Sequence, residues 1–507
     1  MKAGHIHLIG ICGTAMASLA GMLKQRGFQV TGSDAAAYPP MSDFLAGLGI
    51  VVRQPFAEAN LQPHPDLVVV GNALSRGNPE VEYMLDHRLP FTSMAALIHQ
   101  EFLRGREVLA VAGTHGKTTT TSMLSWIFHV AGREPSFLIG GIAENFASSF
   151  AVTGGREFIL EADEYDTAFF DKGPKFMHYF PDGLILTSVE FDHADIYRGL
   201  EEVKTAFKRL VNLVPRRGRI IAWDGATTPA SAKAAPAGGP GSSNPPVVDT
   251  TPAYGISGSG ENVSECVSRA FCAVERYGFA AGSHWRIHDV RYEPACTFWQ
   301  VERQAKPWAE FQFALAGEYN VLNATVAAAM AAGYGISADK IGEALRSFRS
   351  VKRRLEIKCE IAGITIIDDF AHHPTAIAAS LQALRGRFAG RRLWAVLEPR
   401  SNTLRRNVFQ RELVESLAHA DEVVLASVFF KPTDALRPEE RLNVEQVVAD
   451  LRKRAISARQ LATVEEIVAE IAPALRPGDV VAILSNGGFG GIYDKLPARL
   501  REVHAGS

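Results

Sequence analysis

Short apolar runs that lead into glycine-containing turns and then into helical patterns recur along this chain. The first is HIHLIGICG at residues 5–13, and the second is EVLAVAGTHGKT at 107–118. The second run is followed by apolar residues at the three-and-four spacing of one helix face, namely Met123, Leu124, Ile127, Phe128 and Ala131. Because strand, turn and helix follow one another in this order, the pattern predicts parallel α/β sheets.

A third series of strand-like runs begins near ITIIDDFAHHP at 364–374. It continues through LWAVLEPR, DEVVLAS and VVAILSNGG, which gives four strand-like runs separated by helical stretches. The 507 residues of the chain, at roughly 100–200 per domain, allow several domains. We therefore predict three α/β domains, over residues 1–106, 107–349 and 350–507.

One segment has a composition that does not support a packed core. Proline, glycine, alanine and serine dominate TTPASAKAAPAGGPGSSNPPVVDT. A segment of this composition can bury too little apolar surface to offset the conformational entropy that it would lose on becoming ordered. We interpret residues 228–249 as a flexible surface insertion. An interdomain linker is the alternative, but strand-like sequence such as HWRIHDVRYE resumes beyond the segment, which favours an insertion inside the middle domain.

Charge and cysteine content narrow the functional classes. The 53 basic and 55 acidic side chains leave a formal net charge of −2, so a generally basic surface for nucleic acid is not expected. The five cysteines are scattered without a CxxC pair, which favours a reducing compartment. No signal peptide and no apolar stretch of roughly 18 residues is apparent. We expect a cytoplasmic protein with no nucleic-acid or membrane partner.

The sequence GTHGKTTTT at 113–121 is the strongest chemical signal. It follows a predicted strand and opens a predicted helix, so its backbone amides can face phosphate oxygens. Lys117 would reach the β- and γ-phosphates of a nucleotide, and the Thr118 hydroxyl would bind magnesium. The usual phosphate-loop pattern has a glycine five residues before Gly116, where this chain has Val111, so the loop is a shortened variant.

Two acidic clusters follow strand-like runs downstream of this loop. They are EADEYD, from Glu161 to Asp166, and SVEFDHAD, from Ser188 to Asp195. Ligands of open α/β sheets bind at the carboxyl ends of the strands, where these carboxylates can meet a metal–phosphate complex. Alone, each cluster would be interpreted as a solvated loop; together with a phosphate loop, both predict magnesium ligands.

The first glycine turn resembles a dinucleotide-binding turn incompletely. Cys12 and Ala15 occupy the second and third glycine positions of the GxGxxG pattern. The turn nevertheless follows a strand, opens a helix, and precedes a second strand that ends in TGSD, where Asp34 could hold a ribose hydroxyl. A nucleotide diphosphate is one interpretation, and a tight turn without a ligand is the other.

Taken together, the motifs resemble the Mur ligase family. GTHGKTTTT, EADEYD and EFDHAD are joined, in the family's order, by GEYNVLNA at 317–324, VKRRLE at 351–356 and DDFAHHPTAI at 368–377. The resemblance implies three domains: a Rossmann-like UDP-binding domain, a central P-loop ATPase domain and a Rossmann-like C-terminal domain. It also implies ATP-dependent joining of an amino acid or peptide to a UDP-muramoyl substrate, with ATP and Mg²⁺ as cofactors.

Further motifs resemble one branch of that family. They are GNALSRGNPE at 71–80, FDKGPKFMHYFPDGLILTSVEFDHADIY, LEPRSNT at 397–403 and SNGGFGG at 485–491. This branch joins the recycled murein tripeptide L-alanyl-γ-D-glutamyl-meso-diaminopimelate to UDP-N-acetylmuramate through an acyl phosphate. The alternatives are a ligase that adds free L-alanine, a nicotinamide-dependent dehydrogenase and a non-catalytic ATP-binding module. The sequence predicts no oligomeric state.

The resemblance also implies roles for single residues. Lys117, Glu161 and His193 would be catalytic, and Thr118, Glu161 and His193 would bind magnesium. The residues expected to hold ATP are Gly113, Thr114, His115, Gly116, Lys117, Thr118, Thr119, Asn320, Asn323, Arg354 and Asp368. Those expected to hold the other substrates are Gly10, Gly13, Thr14, Asp34, Asn72, His372, Arg400, Ser401 and Asn402.

Three further positions lie in or near family motifs but are given no binding role here. Tyr319 stands where the family commonly has histidine. His373 is interpreted as a structural histidine before Pro374. Lys208 lies near the position of a modified lysine in other members of the family, but we interpret it as a solvated helix residue.

Overall fold

The computed structural model describes residues 4–37, 41–227, 258–293, 295–428 and 436–504. Within these ranges the chain forms three large sheets flanked by helices, together with one small hairpin of Asp166–Ala168 and Asp171–Pro174. The predicted α/β fold class with three sheets is therefore confirmed. The predicted insertion at 228–249 lies outside the described residues.

The first sheet has parallel strands throughout. Its strand order is Val52–Arg53, Gln29–Ser33, His5–Ile9, Leu67–Val70 and Phe91–Ser93. The flanking helices are Thr14–Gln25, Met41–Gly47, Pro79–Asp86 and Met94–Ile98. Parallel strands need crossover connections, and the helical stretches between the apolar runs provide them.

The middle sheet is the largest. Its order is Lys306–Phe313, Thr297–Arg303, Trp285–Tyr292, Ala273–Gly278, Arg219–Trp223, Gly183–Leu186, Glu107–Ala112, Glu157–Ala162, Ser136–Ala143 and Ser148–Ala151. Its helices are Lys117–Val130, Leu200–Leu213, Ser259–Val267, Glu318–Gly333 and Ala338–Arg346. The strands on either side of the 228–249 segment, Arg219–Trp223 and Ala273–Gly278, are parallel neighbours in this sheet.

The third sheet has the order Glu356–Ile361, Ile364–Asp369, Val480–Leu484, Leu393–Leu397, Glu422–Ala426 and Ser457–Leu461. Its helices are Pro374–Arg387, Gln410–Leu417, Val444–Lys453, Val464–Ala474 and Ile492–His504. The four predicted strands are confirmed, but the two edge strands were not predicted. Edge strands such as EIKCEI are only partly buried, so they lack the continuous apolar run that marks a central strand.

Contacts between the sheets determine where a site can form. The helix Thr14–Gln25 packs on the middle sheet, where Ser18 Oγ lies 2.8 Å from Ser149 Oγ. The third sheet meets the middle sheet at the carboxyl ends of the strands of both, close to residues 190–195. None of the helices within the described ranges is long and apolar enough to cross a membrane.

Candidate active site

The loop between the strand Glu107–Ala112 and the helix Lys117–Val130 has little space for side chains at its two glycines. Gly113 has a φ of +128°, and a Cβ there would lie 2.2 Å from Thr187 Oγ1. Gly116 has a φ of +82°, and a Cβ there would lie 2.5 Å from Asn323 Oδ1. Both positions therefore require glycine, for backbone conformation and for space. We call residues 113–119 the nucleotide loop.

Lys117 lies at the start of the helix and is held by carboxylates. Its Nζ donates hydrogen bonds of 2.7 Å to Glu164 Oε2 and 2.7 Å to Gly113 O, and it lies 4.0 Å from Asp163 Oδ1. Burial alone would lower the pKa of Lys117, but Glu164 and Asp163 raise it above the ordinary value for lysine. A charged ammonium group is thus held beside the nucleotide loop.

Thr118 and Glu161 form a second contact beside Lys117. The Thr118 hydroxyl lies 3.2 and 3.0 Å from the two carboxylate oxygens of Glu161, and Gly140 N donates to Glu161 Oε2 at 2.9 Å. Arg354 Nη2 donates to Thr118 Oγ1 at 3.2 Å. A hydroxyl and a carboxylate are hard oxygen ligands of the kind that Mg²⁺ prefers, so this pair fits the predicted ion.

His193 lies across from this pair. It has a φ of +56°, and its Nε2 lies 3.6 Å from Glu164 Oε1. Burial would lower the pKa of His193, but Glu164 and Asp192 raise it to about 9. Asp163, Glu164 and His193 each bring a ligand atom within 4.8 Å of the others, which also fits a divalent cation. His193 therefore groups with Asp163 and Glu164, whereas Glu161 contacts Thr118.

We call residues 188–195 the bridging segment, because its acids contact the third domain. Glu190 Oε2 accepts a 2.7 Å hydrogen bond from Thr375 Oγ1, and Asp192 Oδ1 accepts one of 2.6 Å from Thr403 Oγ1. Asn402 Nδ2 donates to Asp195 Oδ2 at 2.7 Å. In the structure these carboxylates join two domains, and magnesium binding by this cluster stays a prediction.

Two adjoining cavities lie between the middle and third sheets. The larger cavity, of about 340 Å³, adjoins the nucleotide loop. The predicted residues that line it are Thr114, His115, Gly116, Lys117, Thr118, Thr119, Glu161, His193, Asn320, Asn323, Arg354 and His372. Tyr319 lines it as well. The side-chain nitrogen of Asn323 is buried there and has no hydrogen-bond partner among the residues that the structure describes, so a ligand with an acceptor atom would satisfy it.

The smaller cavity, of about 270 Å³, contains the predicted residues Arg400, Ser401 and Asn402. It also shares lining residues with the larger one, namely Asp192, His193, His372 and Asn486. A substrate in the smaller cavity can therefore reach the space beside the nucleotide loop. Arg400 Nη1 lies 3.4 Å from Glu398 Oε1, and the space around this arginine depends on Gly487, where a Cβ would lie 2.5 Å from its side chain.

Asp368, which is predicted to contact the nucleotide, does not line either cavity, so that contact stays a prediction. Successive residues of a strand point to opposite faces, so Asp368 and Asp369 separate. Asp368 pairs with Arg353 at 3.2 Å, whereas Asp369 lines the larger cavity and accepts hydrogen bonds from Leu355 N and Ser380 Oγ. Burial raises the pKa of Asp369. The sequence DDF alone could not show which aspartate faces the cavity.

The residues predicted for the first domain form a separate group. Gly10, Gly13 and Thr14 lie at the turn into the first helix, and Asn72 follows the neighbouring strand Leu67–Val70. Asp34 Oδ2 accepts a 2.8 Å hydrogen bond from Cys12 N, so its carboxylate supports the glycine turn. None of these residues lines the two cavities described above. Their role in binding UDP stays a prediction.

Several residues at the site were not predicted individually. They are Asp163, Glu164, Glu190, Asp192, Asp369 and Asn486. Five of the six are acidic residues within the motifs EADEYD, SVEFDHAD and DDFAHHPTAI. These motifs therefore predicted which segments form the site, but not which side chain in each segment faces it. Lys208 pairs with Glu265 at 2.5 Å and does not line either cavity.

Comparison with known proteins identifies the family. Residues 5–105 match the Mur ligase family catalytic domain, residues 111–238 the Mur ligase middle domain, and residues 353–487 the Mur ligase glutamate ligase domain. The chain belongs to the Mur ligase family. It is an ATP-dependent, amide-bond-forming ligase, which excludes the dehydrogenase and the non-catalytic module.

Full-length relatives refine the comparison within this family. The chain is 40% identical to the UDP-N-acetylmuramate–L-alanyl-γ-D-glutamyl-meso-2,6-diaminoheptanedioate ligase of Escherichia coli, over 97% of each chain. It is 31% identical to the UDP-N-acetylmuramate–L-alanine ligase of Delftia acidovorans, over 98% of this chain and 96% of that one. A crystal structure of a murein peptide ligase from Psychrobacter arcticus covers 98% of this chain and 99% of its own, at 34% identity and a TM-score of 0.71.

Proposed function

We propose that this Mur ligase joins the tripeptide L-alanyl-γ-D-glutamyl-meso-diaminopimelate to UDP-N-acetylmuramate, using ATP. The observation that carries the proposal is the pair of adjoining cavities. One contains the nucleotide loop, the other contains Arg400, and they share His193 and His372. Such an arrangement suits a reaction in which a peptide amine attacks a carboxyl group that ATP has activated nearby.

The first step is the approach of two anions. The muramoyl carboxylate attacks the γ-phosphorus of ATP, the bond from this phosphorus to the bridging oxygen breaks, and an acyl phosphate and ADP result. This approach needs positive charge around the phosphate oxygens. Lys117 holds such a charge beside the nucleotide loop. Magnesium bound by Thr118 and Glu161 would neutralise further negative charge. The amides of the loop and the start of the helix at Lys117 favour phosphate in the same place.

The second step is attack by the α-amine of the tripeptide on the acyl carbon of the acyl phosphate. The amide bond forms as the bond from this carbon to the phosphate oxygen breaks, inorganic phosphate leaves, and the amine nitrogen loses a proton to solvent. The amine must arrive in the space that the two cavities share, while the rest of the peptide stays in the smaller cavity. Arg400 can hold a peptide carboxylate through two parallel hydrogen bonds.

The test is to measure ADP release with UDP-N-acetylmuramate and one of three amines: L-alanine, L-alanyl-γ-D-glutamate or the tripeptide. We expect the tripeptide to give the highest kcat/KM. Arg400→Ala should lower this value for the tripeptide, whereas Arg411→Ala should not, because Arg411 is an exposed arginine of the same domain that pairs with Glu415 and does not line either cavity. A preference of the unmutated enzyme for L-alanine would contradict the proposal.

A further inference from the structure

Glu190 touches two domains with one carboxylate oxygen. Its Oε2 accepts hydrogen bonds from Thr375 Oγ1 at 2.7 Å and from His115 Nε2 at 3.1 Å. His115 belongs to the nucleotide loop, and Thr375 lies in the first turn of the helix Pro374–Arg387 of the third domain. The side chain of Glu190 is 3% exposed, so both contacts are shielded from water.

Glu190 also contacts the nucleotide loop through its backbone. Its N–H donates to Thr114 Oγ1 at 2.9 Å, and its carbonyl accepts from the same hydroxyl at 3.3 Å. Two successive loop residues, Thr114 and His115, are therefore held by this one residue. The shape of the loop that would surround the phosphates depends directly on Glu190.

The third domain completes the surroundings of this carboxylate. His373 Nε2 donates to Phe191 O at 3.2 Å, and its Nδ1 lies 3.8 Å from Glu190 Oε2. A carboxylate at the start of a helix is stabilised by the helix dipole. Burial would raise the pKa of Glu190, but His115, His373 and Thr375 lower it to about 2. A buried carboxylate that loses such partners is costly, so the loop contact and the domain contact support each other.

We propose that Glu190 is a positioning residue that couples the nucleotide loop to the docking of the third domain, so that ATP and the peptide favour each other's binding. The proposal rests on the proposed function, because it takes ATP to bind at the loop and the peptide to bind against the third domain. Glu190 itself is given no contact with either substrate.

The test is a measurement of coupling between two ligands. The dissociation constant of a non-hydrolysable ATP analogue with Mg²⁺ is measured by calorimetry in the presence of UDP-N-acetylmuramate, with and without the tripeptide. We expect the tripeptide to tighten analogue binding to the unmutated enzyme at least about five-fold. In Glu190→Gln and in Thr375→Val this factor should fall to about two-fold or less, while Thr375→Ser, which keeps the hydroxyl, should retain most of it.

A double-mutant cycle separates coupling from general damage. If one contact carries the effect, Glu190→Gln combined with Thr375→Val should lose no more coupling than the more affected single variant. Thermal unfolding identifies variants that do not fold, and Thr375→Ala then replaces Thr375→Val. Unchanged coupling in folded Glu190→Gln and Thr375→Val overturns the proposal.

The unmutated enzyme distinguishes the two ways of failing. If the analogue binds but the tripeptide does not change its affinity, the coupling proposal is wrong and the proposed function stands. If neither the analogue nor the tripeptide binds, the proposed function itself fails.

Discussion

Replacing Lys117 with alanine tests the nucleotide loop and should have two separable effects. The first is on turnover, because the ammonium group is the cation nearest to where the γ-phosphate would lie in the proposed arrangement. Removing one preorganised electrostatic contact of this kind lowers kcat by roughly 10²-fold or more. We therefore expect ADP release by Lys117→Ala to fall by at least about this factor.

The second effect is on stability and follows from the ion pair with Glu164. The side chains of Lys117 and Glu164 are 11% and 2% exposed, so Lys117→Ala leaves a buried carboxylate without its main partner. Breaking a buried pair in this way costs about 3–5 kcal/mol. For a domain of about 150–250 residues each kcal/mol shifts Tm by about 2–4 °C, which gives a decrease of roughly 6–20 °C.

A second variant separates the two effects. Lys117→Ala combined with Glu164→Gln removes the unpaired charge, so Tm should recover while turnover stays low. Thermal unfolding and steady-state ADP release measure the two quantities on the same preparations. Turnover of Lys117→Ala within about ten-fold of the unmutated enzyme would show that the loop does not act on ATP as proposed.

Three further predictions concern the cavities and the domain contact. Arg400→Ala should raise the KM for the tripeptide by about ten-fold or more, and Arg400→Lys should recover only part of this, because an ammonium group lacks the planar fork; unchanged KM values would refute the peptide contact. Glu161→Gln should raise the Mg²⁺ concentration for half-maximal ADP release about ten-fold or more, and an unchanged magnesium titration would exclude Glu161 as a ligand. Burial and the nearby His115 lower the pKa of His373 to about 4, whereas a histidine in an unfolded chain has a pKa of about 6.5. As the pH falls from 6.5 to about 4, the unfolded chain therefore binds a proton at this residue before the folded protein does. Tm should fall over this range. His373 Nδ1 accepts a 3.3 Å hydrogen bond from Thr375 N and so caps the helix Pro374–Arg387. His373→Asn, whose amide oxygen can still accept this bond, should flatten this part of the Tm profile; an unchanged slope would assign it to other groups.

Much of the candidate site was predictable because it depends on local geometry. Gly113 and Gly116 adopt positive φ values between a strand and a helix, and such a turn has a recognisable sequence. Arg400, Ser401 and Asn402 begin three residues after the end of the apolar strand Leu393–Leu397, at the edge where ligands of α/β sheets bind. Asp368 and Asp369 could not be distinguished in this way. Adjacent aspartates on a strand point to opposite faces of the sheet, and only the packing of the sheet against its neighbours decides which face borders the cavity.

The sequence by itself determined the class of fold, the positions of several central strands along the chain and the family, because apolar periodicity and turn chemistry are properties of neighbouring residues. It also located the acidic motifs at strand ends. Only the tertiary structure decided what each acid contacts. Glu190 and Thr375 are 185 residues apart in the chain, and Asp192 and Thr403 are 211 apart, yet each pair shares a buried hydrogen bond. Contacts of this kind depend on how two separate sheets pack against each other, and no local pattern of hydrophobic and polar residues encodes that packing.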